Sequence, residues 1–254
     1  IIISEQTREL VSAYFRCRYL GKLPVKYVGD MNLYNVNGYL PEFSTDNKGL
    51  LPNQTFITKL QLIRYDDLEE FMLDKLEREL PKYLYYHNLK HTMDVVIQAE
   101  IIGRGEGISE EEMLLLKTAA LFHDSGQTVQ SKGHEQISAQ IAQEILPKYG
   151  YSIEQINIIC DIIKATELPP KPQTLLQNII CDADLDYLGR SDFIPVSNTL
   201  YKELHEQKLI GSMDDWNRLQ IKFLSAHQYF TETANKLREV NKQTQIERLK
   251  QLIE

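Results

Sequence analysis

The chain has 254 residues, of which 43% are hydrophobic and 25% charged, a balance typical of a folded globular protein. Its formal net charge is −8 and its Lys and Arg residues form no block, so the sequence lacks the basic surface that binds nucleic acid. No apolar run approaches the roughly 20 residues that a membrane span requires. We therefore expect this portion to bind neither nucleic acid nor membrane.

Three cysteines, Cys17, Cys160 and Cys181, are odd in number and lie far apart in apolar surroundings. This pattern predicts reduced, buried thiols rather than disulfides, and therefore a cytoplasmic protein. The chain opens with Ile-Ile-Ile and has no initial Met. We expect it to be a fragment or a processed piece of a longer polypeptide.

Residues 1–45 differ in composition from the rest of the chain. Ser4 can cap a short helix that runs through Val11, and two β-rich segments follow on either side of Gly21-Lys22-Leu23-Pro24, which predicts a β-hairpin. A lone hairpin is not stable by itself, so these strands must pack against other parts of the polypeptide. The next segment, residues 46–64, is predicted to be a surface linker because it is rich in turn-forming residues.

From residue 65 onward apolar residues recur at helical spacing, which predicts a mainly α domain over residues 65–254. Two capping boxes, Ser109-x-x-Glu112 and Ser152-x-x-Gln155, mark the starts of helices. The predicted helices span about 65–80, 88–102, 113–122, 134–148, 153–165, 174–188, 193–207, 213–229 and 232–253.

Three groups of His and Asp residues stand out within this helical pattern. His87 and His91 are four residues apart, so on one helix they would lie on the same face. His123-Asp124 follows an apolar helix at its C-terminal end, and Asp182-Ala183-Asp184 forms a third group. Imidazole and carboxylate ligands suit divalent metals, with Mg²⁺ or Mn²⁺ favoured by more oxygen ligands and Fe or Zn by more nitrogen ligands.

Burying these side chains without a partner would be costly, and a bound metal ion would compensate for it. Asp182 and Asp184 point about 200° apart on a helix, so only one of them can face a site. The Ala-Asp-Leu context favours Asp184, which leaves Asp182 as a surface acid or as an acid that supports a ligand. Asp94 either orients the His91 imidazole through its second nitrogen or only balances surface charge.

The order of these groups resembles the HD superfamily of metal-dependent phosphohydrolases over about residues 65–230. The segment Tyr86-His87-Asn88-x-x-His91 is similar to the form found in class I cyclic-nucleotide phosphodiesterases. The resemblance implies an HD-type helical bundle with the N-terminal β-hairpin as an appendage. It also implies one or two divalent ions, Mg²⁺, Mn²⁺, Fe or Zn. The metal ligands implied by the resemblance are His91, His123, Asp124 and Asp184, with Asp124 bridging to a second ion and His87 acting as the general acid.

Other positions have both a functional and a structural interpretation. His134-Glu135 would contact a second metal or a phosphate, or would simply begin a helix with a polar pair. Gln220-x-x-Phe223 is similar to the Gln and Phe that hold the purine in phosphodiesterases, but an amphipathic helix packed inward explains it better. The chain has Ser125-Gly126-Gln127 where the phosphodiesterases have a further acidic residue and His-Pro-Gly, so the second metal site differs from theirs.

The N-terminal segment around Gly21-Lys22-x-x-Val25-Lys26 resembles the C-terminal end of class III nucleotidyl cyclase domains. Val28 stands where that family tends to have a second Lys. The resemblance implies a cyclase domain upstream in the same polypeptide, whose metal-binding aspartates are not in this chain. The sequence is also compatible with a homodimer.

We therefore predict a metal-dependent phosphohydrolase, with hydrolysis of a 3′,5′-cyclic nucleotide to the 5′-monophosphate as the leading hypothesis. A nucleotidase or nucleotide pyrophosphohydrolase of the HD superfamily is the second hypothesis, because such enzymes share their ligands across substrates. A third hypothesis is a nucleotide-binding module that regulates a cyclase without turnover.

Overall fold

The computed structural model describes residues 1–253, and the chain divides into two compact units, residues 1–64 and 65–254. The expectation of a mainly α chain with a small β appendage is confirmed.

The first unit contains a three-stranded antiparallel sheet and one short helix. The strands are β1 (Ile2–Ser4), β2 (Phe15–Val25) and β3 (Gly29–Tyr39), in the order β1-β3-β2. Ser4 caps α1 (Glu5–Val11) by accepting a hydrogen bond from the Thr7 backbone N–H, as the sequence predicts. The hairpin is therefore present, and β1 adds a third strand that the sequence analysis did not foresee.

The predicted position of the hairpin turn is wrong. Gly21-Lys22-Leu23-Pro24 lies inside β2, and the chain reverses after Val25, which pairs with Gly29. Gly21 has a φ of +112° and sits at a shift in the strand register. A glycine at such a bulge lets the strand bend and continue, so here it marks a bulge and not a turn.

The predicted linker over residues 46–64 is only partly irregular, because the first long helix begins at Gln54. The Asn53 side chain accepts a hydrogen bond from the Phe56 backbone N–H at 3.0 Å. The ring of Phe56 packs against Tyr14 and Tyr39, with ring centroids 6.0 and 4.7 Å away. Aromatic burial anchors the start of the helix, through contacts with distant residues that the turn-forming composition of this segment does not reveal.

The remaining structure is helical, and both predicted capping boxes are present. The helices predicted over about 134–148 and 174–188 end earlier than predicted. Short 3-10 turns follow them at 146–149 and 186–189. The helices are α2 (Gln54–Glu79), α3 (Leu89–Gly105), α4 (Glu110–Phe122), α5 (His134–Ile145), α6 (Ile153–Lys164), α7 (Leu175–Asp184), α8 (Phe193–Glu206), α9 (Met213–Ala226) and α10 (Glu232–Gln251).

Helices α3, α4 and α7 pack against one another in the second unit. The α4 side chains Leu114, Leu116 and Phe122 are fully buried, and burying each one contributes about 1.5–3 kcal/mol. Phe122 is the last residue of α4, so its burial fixes the end of the helix from which His123 projects.

All three cysteines are free, as predicted, but Cys17 is only half-buried, unlike Cys160 and Cys181. None of the helices among residues 1–253 is both long and apolar enough to span a membrane.

Asp182 is not a surface acid, because its side chain is fully buried. Its carboxylate accepts hydrogen bonds from the backbone N–H of Phe230 at 2.9 Å and from the backbone N–H and hydroxyl of Thr231 at 2.8 and 2.7 Å. Burial raises its pKa to about 6 despite these hydrogen bonds. Thr231 is the N-cap of α10, so Asp182 attaches the start of the last helix to α7.

We expect Asp182→Ala to lower the free energy of unfolding by about 2–4 kcal/mol, because buried donors would lose their acceptor. Urea denaturation followed by circular dichroism measures this change. The matched control is Asp161→Ala on α6, whose side chain is 68% exposed and whose loss should cost under about 0.5 kcal/mol. Equal losses for the two variants would show that Asp182 does not hold α10.

Candidate metal and phosphoester site

Three ligand-type side chains meet where α3, α4 and α7 come together. His91 lies in the first turn of α3, His123 is the C-cap of α4, and Asp184 is the last residue of α7. His91 Nε2 is 3.4 Å from His123 Nε2 and 3.1 Å from Asp184 Oδ1. His123 Nε2 is 3.6 Å from the same oxygen. The structure thus brings together residues from three distant parts of the sequence.

Asp124 lies at the same place, directly after His123. Its Oδ2 atom is 3.3 Å from His123 Nε2 and 3.5 Å from His91 Nε2. That oxygen is buried and has no hydrogen-bond partner of good geometry. An unsatisfied buried carboxylate oxygen costs free energy, so this atom is suited to a bound cation.

The donor atoms also have separations that suit a shared ion. Atoms about 2.1 Å from one metal ion lie about 3.0 Å apart in an octahedron and about 3.4 Å apart in a tetrahedron. The distances of 3.1 to 3.6 Å among His91, His123 and Asp184 are close to these values. The His123 Nδ1–H donates to the Ala120 carbonyl at 2.8 Å, which leaves Nε2 as the ligand atom, as in many metal sites.

The electrostatics of the cluster indicate a site that attracts positive charge. Burial lowers the pKa of His123, but the carboxylates of Asp124 and Asp184 outweigh it and hold that pKa well above its usual value. Burial likewise favours protonation of both acids, yet the neighbouring imidazoles keep the pKa of each carboxyl below its ordinary value. A divalent cation would supply the positive charge that protons otherwise supply here.

His87 lies just before the helix that carries His91, as the predicted helix start at about residue 88 implies, so the two residues do not share a helix face. Asn88 is the N-cap of α3 and has an extended backbone, and its side chain accepts hydrogen bonds from the backbone N–H of Lys90 and His91. His87 therefore precedes the helix, although its ring centroid is still 5.9 Å from that of His91. A strong N-cap residue competes with helix propagation at this point.

Glu203 on α8 holds His87 in place, and the sequence analysis missed it. Its carboxylate accepts from His87 Nδ1 at 2.5 Å and from the backbone N–H of Tyr86 and His87 at 2.9 and 3.1 Å. Burial would lower the pKa of His87, but the hydrogen bond to Glu203 and the nearby carboxylates raise it overall. Glu203 lies in a helix that also contains Lys202 and Glu206, so nothing in the local sequence distinguishes it from a surface acid.

His134 also reaches the cluster, through the second oxygen of Asp124. Its Nε2 atom is 2.9 Å from Asp124 Oδ1, and its Nδ1–H donates to the Ser131 carbonyl at 2.8 Å. Gly126 permits this approach, because a Cβ there would lie 2.1 Å from the backbone oxygen of His134. Glu135 Oε1 is 3.7 Å from His134 Nδ1.

Asp94 does not contact the His91 imidazole through any hydrogen bond described for this chain. Its Oδ2 atom is 3.0 Å from Lys90 Nζ and 3.4 Å from Arg190 Nη1. These contacts support the interpretation of Asp94 as a residue that balances surface charge. Asp182 points away from the cluster, toward the start of α10.

Two cavities meet beside the cluster. A polar cavity of about 270 Å³ and a mainly apolar one of about 320 Å³ share His87, Leu168 and Asp184 in their walls. Asp124, His134 and Glu135 line the polar cavity, and Gln220 and Phe223 line the apolar one, together with Tyr86, Tyr187, Trp216, Leu185, Leu188, Leu200, Leu204, Leu219 and Leu224. Asp94 lines a third cavity together with His91 and Asp184. Every candidate residue except Asp182 therefore lies in the cluster or in the wall of an adjoining cavity.

The part of the sequence that contains the cluster is similar to known proteins. Residues 88–186 match the HD domain family. An uncharacterized protein of Clostridium beijerinckii is 40% identical over 76 residues, which are 29% of this chain and 48% of that protein. This chain thus spans about half the length of that relative.

Solved structures match the fold. The crystal structure of Bacillus subtilis YpgQ in complex with ADP has a TM-score of 0.56 and 18% identity, over 76% of this chain and 95% of that one. A second crystal structure of YpgQ gives a TM-score of 0.55 and 19% identity over the same shares. The helical part of the chain thus has the HD-domain fold, with residues 88–186 as the segment that matches the HD domain family.

Proposed function

We propose that the protein is a metal-dependent phosphoester hydrolase and that its substrate is a 3′,5′-cyclic nucleotide, released as the 5′-monophosphate. The observation that supports this most is the position of His87. A buried carboxylate orients its imidazole at 2.5 Å, and the imidazole lies where the cavity beside the metal-ligand cluster meets an apolar cavity. A phosphoryl group at the cluster would thus have a proton donor on the side of its leaving group.

Four residues would hold the first ion: His91, His123, Asp124 and Asp184. His134 and Glu135 lie on the other side of Asp124 and are the candidates for a second ion or for the phosphate. A bound divalent ion lowers the pKa of water and offsets charge on phosphoryl oxygens. Asp124 would orient the attacking water, since its two oxygens face different parts of the site.

His87 would act as the general acid. Its Nδ1–H is donated to Glu203, so Nε2–H is the group left to protonate the departing O3′ of the substrate. Burial lowers the pKa of His87, but the hydrogen bond to Glu203 and the nearby carboxylates raise it overall, which favours the protonated form that the role demands. Glu203 would thus set both the direction and the protonation state of the imidazole.

A second candidate is hydrolysis of a nucleoside di- or triphosphate. The observation in its favour is that Bacillus subtilis YpgQ, which has the same fold, was solved with ADP. The leaving group separates the two candidates, because a phosphate leaving group needs less help from an acid than an alkoxide does. The third hypothesis, regulation of a cyclase without turnover, is tested by the assay of hydrolysis products described next.

We expect the purified protein to convert cyclic AMP and cyclic GMP into 5′-AMP and 5′-GMP when Mg²⁺, Mn²⁺ or Fe²⁺ is present. Chromatography of the products, with ATP and ADP as parallel substrates, measures this directly. Hydrolysis of ATP or ADP without any cleavage of the cyclic nucleotides would replace the first candidate with the second. Binding without turnover of either class would favour the regulatory hypothesis.

Asp124→Ala and Asp184→Ala should each lose bound metal and nearly all activity, because each removes an oxygen from the cluster. Elemental analysis and the phosphodiesterase assay measure the two losses. Asp182→Asn is the matched control on the same helix, since Asp182 contacts Phe230 and Thr231 instead. A metal-free Asp182→Asn variant, or a fully loaded Asp184→Ala variant, would contradict this assignment of the ligands.

His87→Ala should retain its metal but lose roughly 10²–10⁴-fold in kcat, the usual contribution of a general acid. The loss should be much smaller for a p-nitrophenyl ester, whose leaving group needs no proton. Rates for both substrates measure this difference. Equal losses would exclude the acid role.

Glu203→Gln provides a second, conservative variant for the same role. Protonated His87 is the active form, so activity falls as pH rises through its pKa. Removing the negative charge of Glu203 lowers that pKa, and the alkaline limb of the kcat/KM profile should therefore move to lower pH. An unchanged limb would show that Glu203 does not set the protonation of His87.

A further inference from the structure

The metal-ligand candidate Asp184 is the last residue of α7. Helix ends fray because their last backbone carbonyls lack partners inside the helix, so the position of a side chain there depends on what holds the residues that follow. The Asp184 carboxylate nevertheless lies 3.1 Å from His91 Nε2 and 3.6 Å from His123 Nε2. Keeping it there requires that the residues directly after it are anchored elsewhere in the protein.

The 3-10 turn at 186–189 is anchored to α10, a helix that carries none of the ligand candidates. Gly189 lets the two backbones come close, because a Cβ at this position would lie 2.5 Å from the Arg238 carbonyl oxygen. Apolar side chains of the turn region and of α10 also share one buried cluster: Leu185, Leu188, Ile246 and Leu249. The segment that follows the ligand is therefore packed directly on α10.

Arg238 of α10 connects this turn to a second element that carries a ligand. Its Nε–H donates to Asp186 Oδ1 at 2.6 Å, and Asp186 is only 1% exposed. Its Nη2–H donates to Gln98 Oε1 at 3.3 Å. Gln98 lies on α3 about two turns after His91, and therefore on the same side of that helix. One guanidinium group thus bridges the helix of His91 and the turn after Asp184.

The bridge depends on this one arginine. The Asp186 side chain makes no other hydrogen bond among residues 1–253, and its Oδ2 atom is buried without a partner. A guanidinium donates in several directions from a rigid plane, which an ammonium group cannot do. We propose that Arg238 is a positioning residue, which holds Asp184 and His91 at the separation that a shared metal ion needs. This role rests on the proposed function for the presence of the ion, but not for the identity of the substrate.

We would measure the dissociation constant of Mn²⁺ for the full chain by electron paramagnetic resonance of the free ion. Arg238→Met should weaken binding by about tenfold or more, since loss of residues that orient metal ligands commonly costs roughly 10–100-fold. Arg238→Lys keeps a positive charge beside Asp186 but not both contacts, so its affinity should be intermediate. The matched control is Lys236→Met on the same helix, because Lys236 is 70% exposed and its loss should change the constant by less than about twofold.

Removing Arg238 alone leaves the Asp186 carboxylate buried without its partner, which can prevent folding. The double variant Asp186→Asn/Arg238→Met removes both charges and leaves a neutral interior. Circular dichroism confirms that it is folded. Its affinity for Mn²⁺ should be as weak as that of Arg238→Met, because the bridge is absent from both. Wild-type affinity in the folded double variant would overturn the proposal.

Metal binding and the bridge should also stabilise each other, because coupling between two sites is reciprocal. Mn²⁺ should therefore slow the hydrogen exchange of backbone amides over residues 232–240, as measured by mass spectrometry. Lys236→Met should show the same protection, and the double variant should not. An ion pair that only stabilises the fold would leave this protection unchanged in all three proteins, and that result would contradict the positioning role.

Failure of the positioning role can be distinguished from failure of the proposed function. Wild-type protein that binds no Mn²⁺ at the cluster would reject the metal site and the positioning role together. Equal Mn²⁺ affinity in the wild-type protein and the folded variants would reject the positioning role alone. Mn²⁺ binding that depends on Arg238, without hydrolysis of cyclic nucleotides, would reject the proposed substrate and support the positioning role.

Discussion

The site depends on two carboxylates and two imidazoles that are held close together with little exposure to water. Asp124 and His123 are 5% and 1% exposed, and charged or polar groups in such surroundings need compensation. The protein supplies part of it through mutual ion pairs, which raise the pKa of the His123 imidazole and depress those of the carboxyls. Asp124 Oδ2 makes no hydrogen bond, although both imidazoles lie within 3.5 Å of it. This internal compensation is therefore incomplete, and a divalent cation would complete it.

Packing in the helical unit is what keeps the four side chains in this costly arrangement. His123 and Asp124 follow the fully buried end of α4, and Asp184 ends α7, whose neighbour Asp182 is bonded to the start of α10. Asp182 therefore attaches the start of α10 to α7, whereas Asp184 faces the cluster. The separation of about 200° between them on a helix explains both positions.

Much of this could be predicted from local patterns, because helical spacing, capping boxes and the order of the His and Asp groups are all carried by neighbouring residues. The features that were missed depend on contacts between distant residues or on local competition. Glu203 meets His87 across 116 positions, which no local pattern reveals. Asn88 caps α3 and so excludes His87 from the helix, and Gly21 forms a bulge where a turn was expected, because each residue has two local uses that only the tertiary structure distinguishes.

The most direct test of the account is a crystal structure of the protein grown with Mn²⁺ and measured at a wavelength where manganese scatters anomalously. The account predicts an anomalous peak among His91, His123, Asp124 and Asp184, at about 2.0–2.3 Å from their nitrogen and oxygen atoms. Loss of that peak in an Asp184→Ala crystal would support the ligand set further. A Mn²⁺ peak elsewhere, with this cluster free of metal at saturating Mn²⁺, would contradict the central claim.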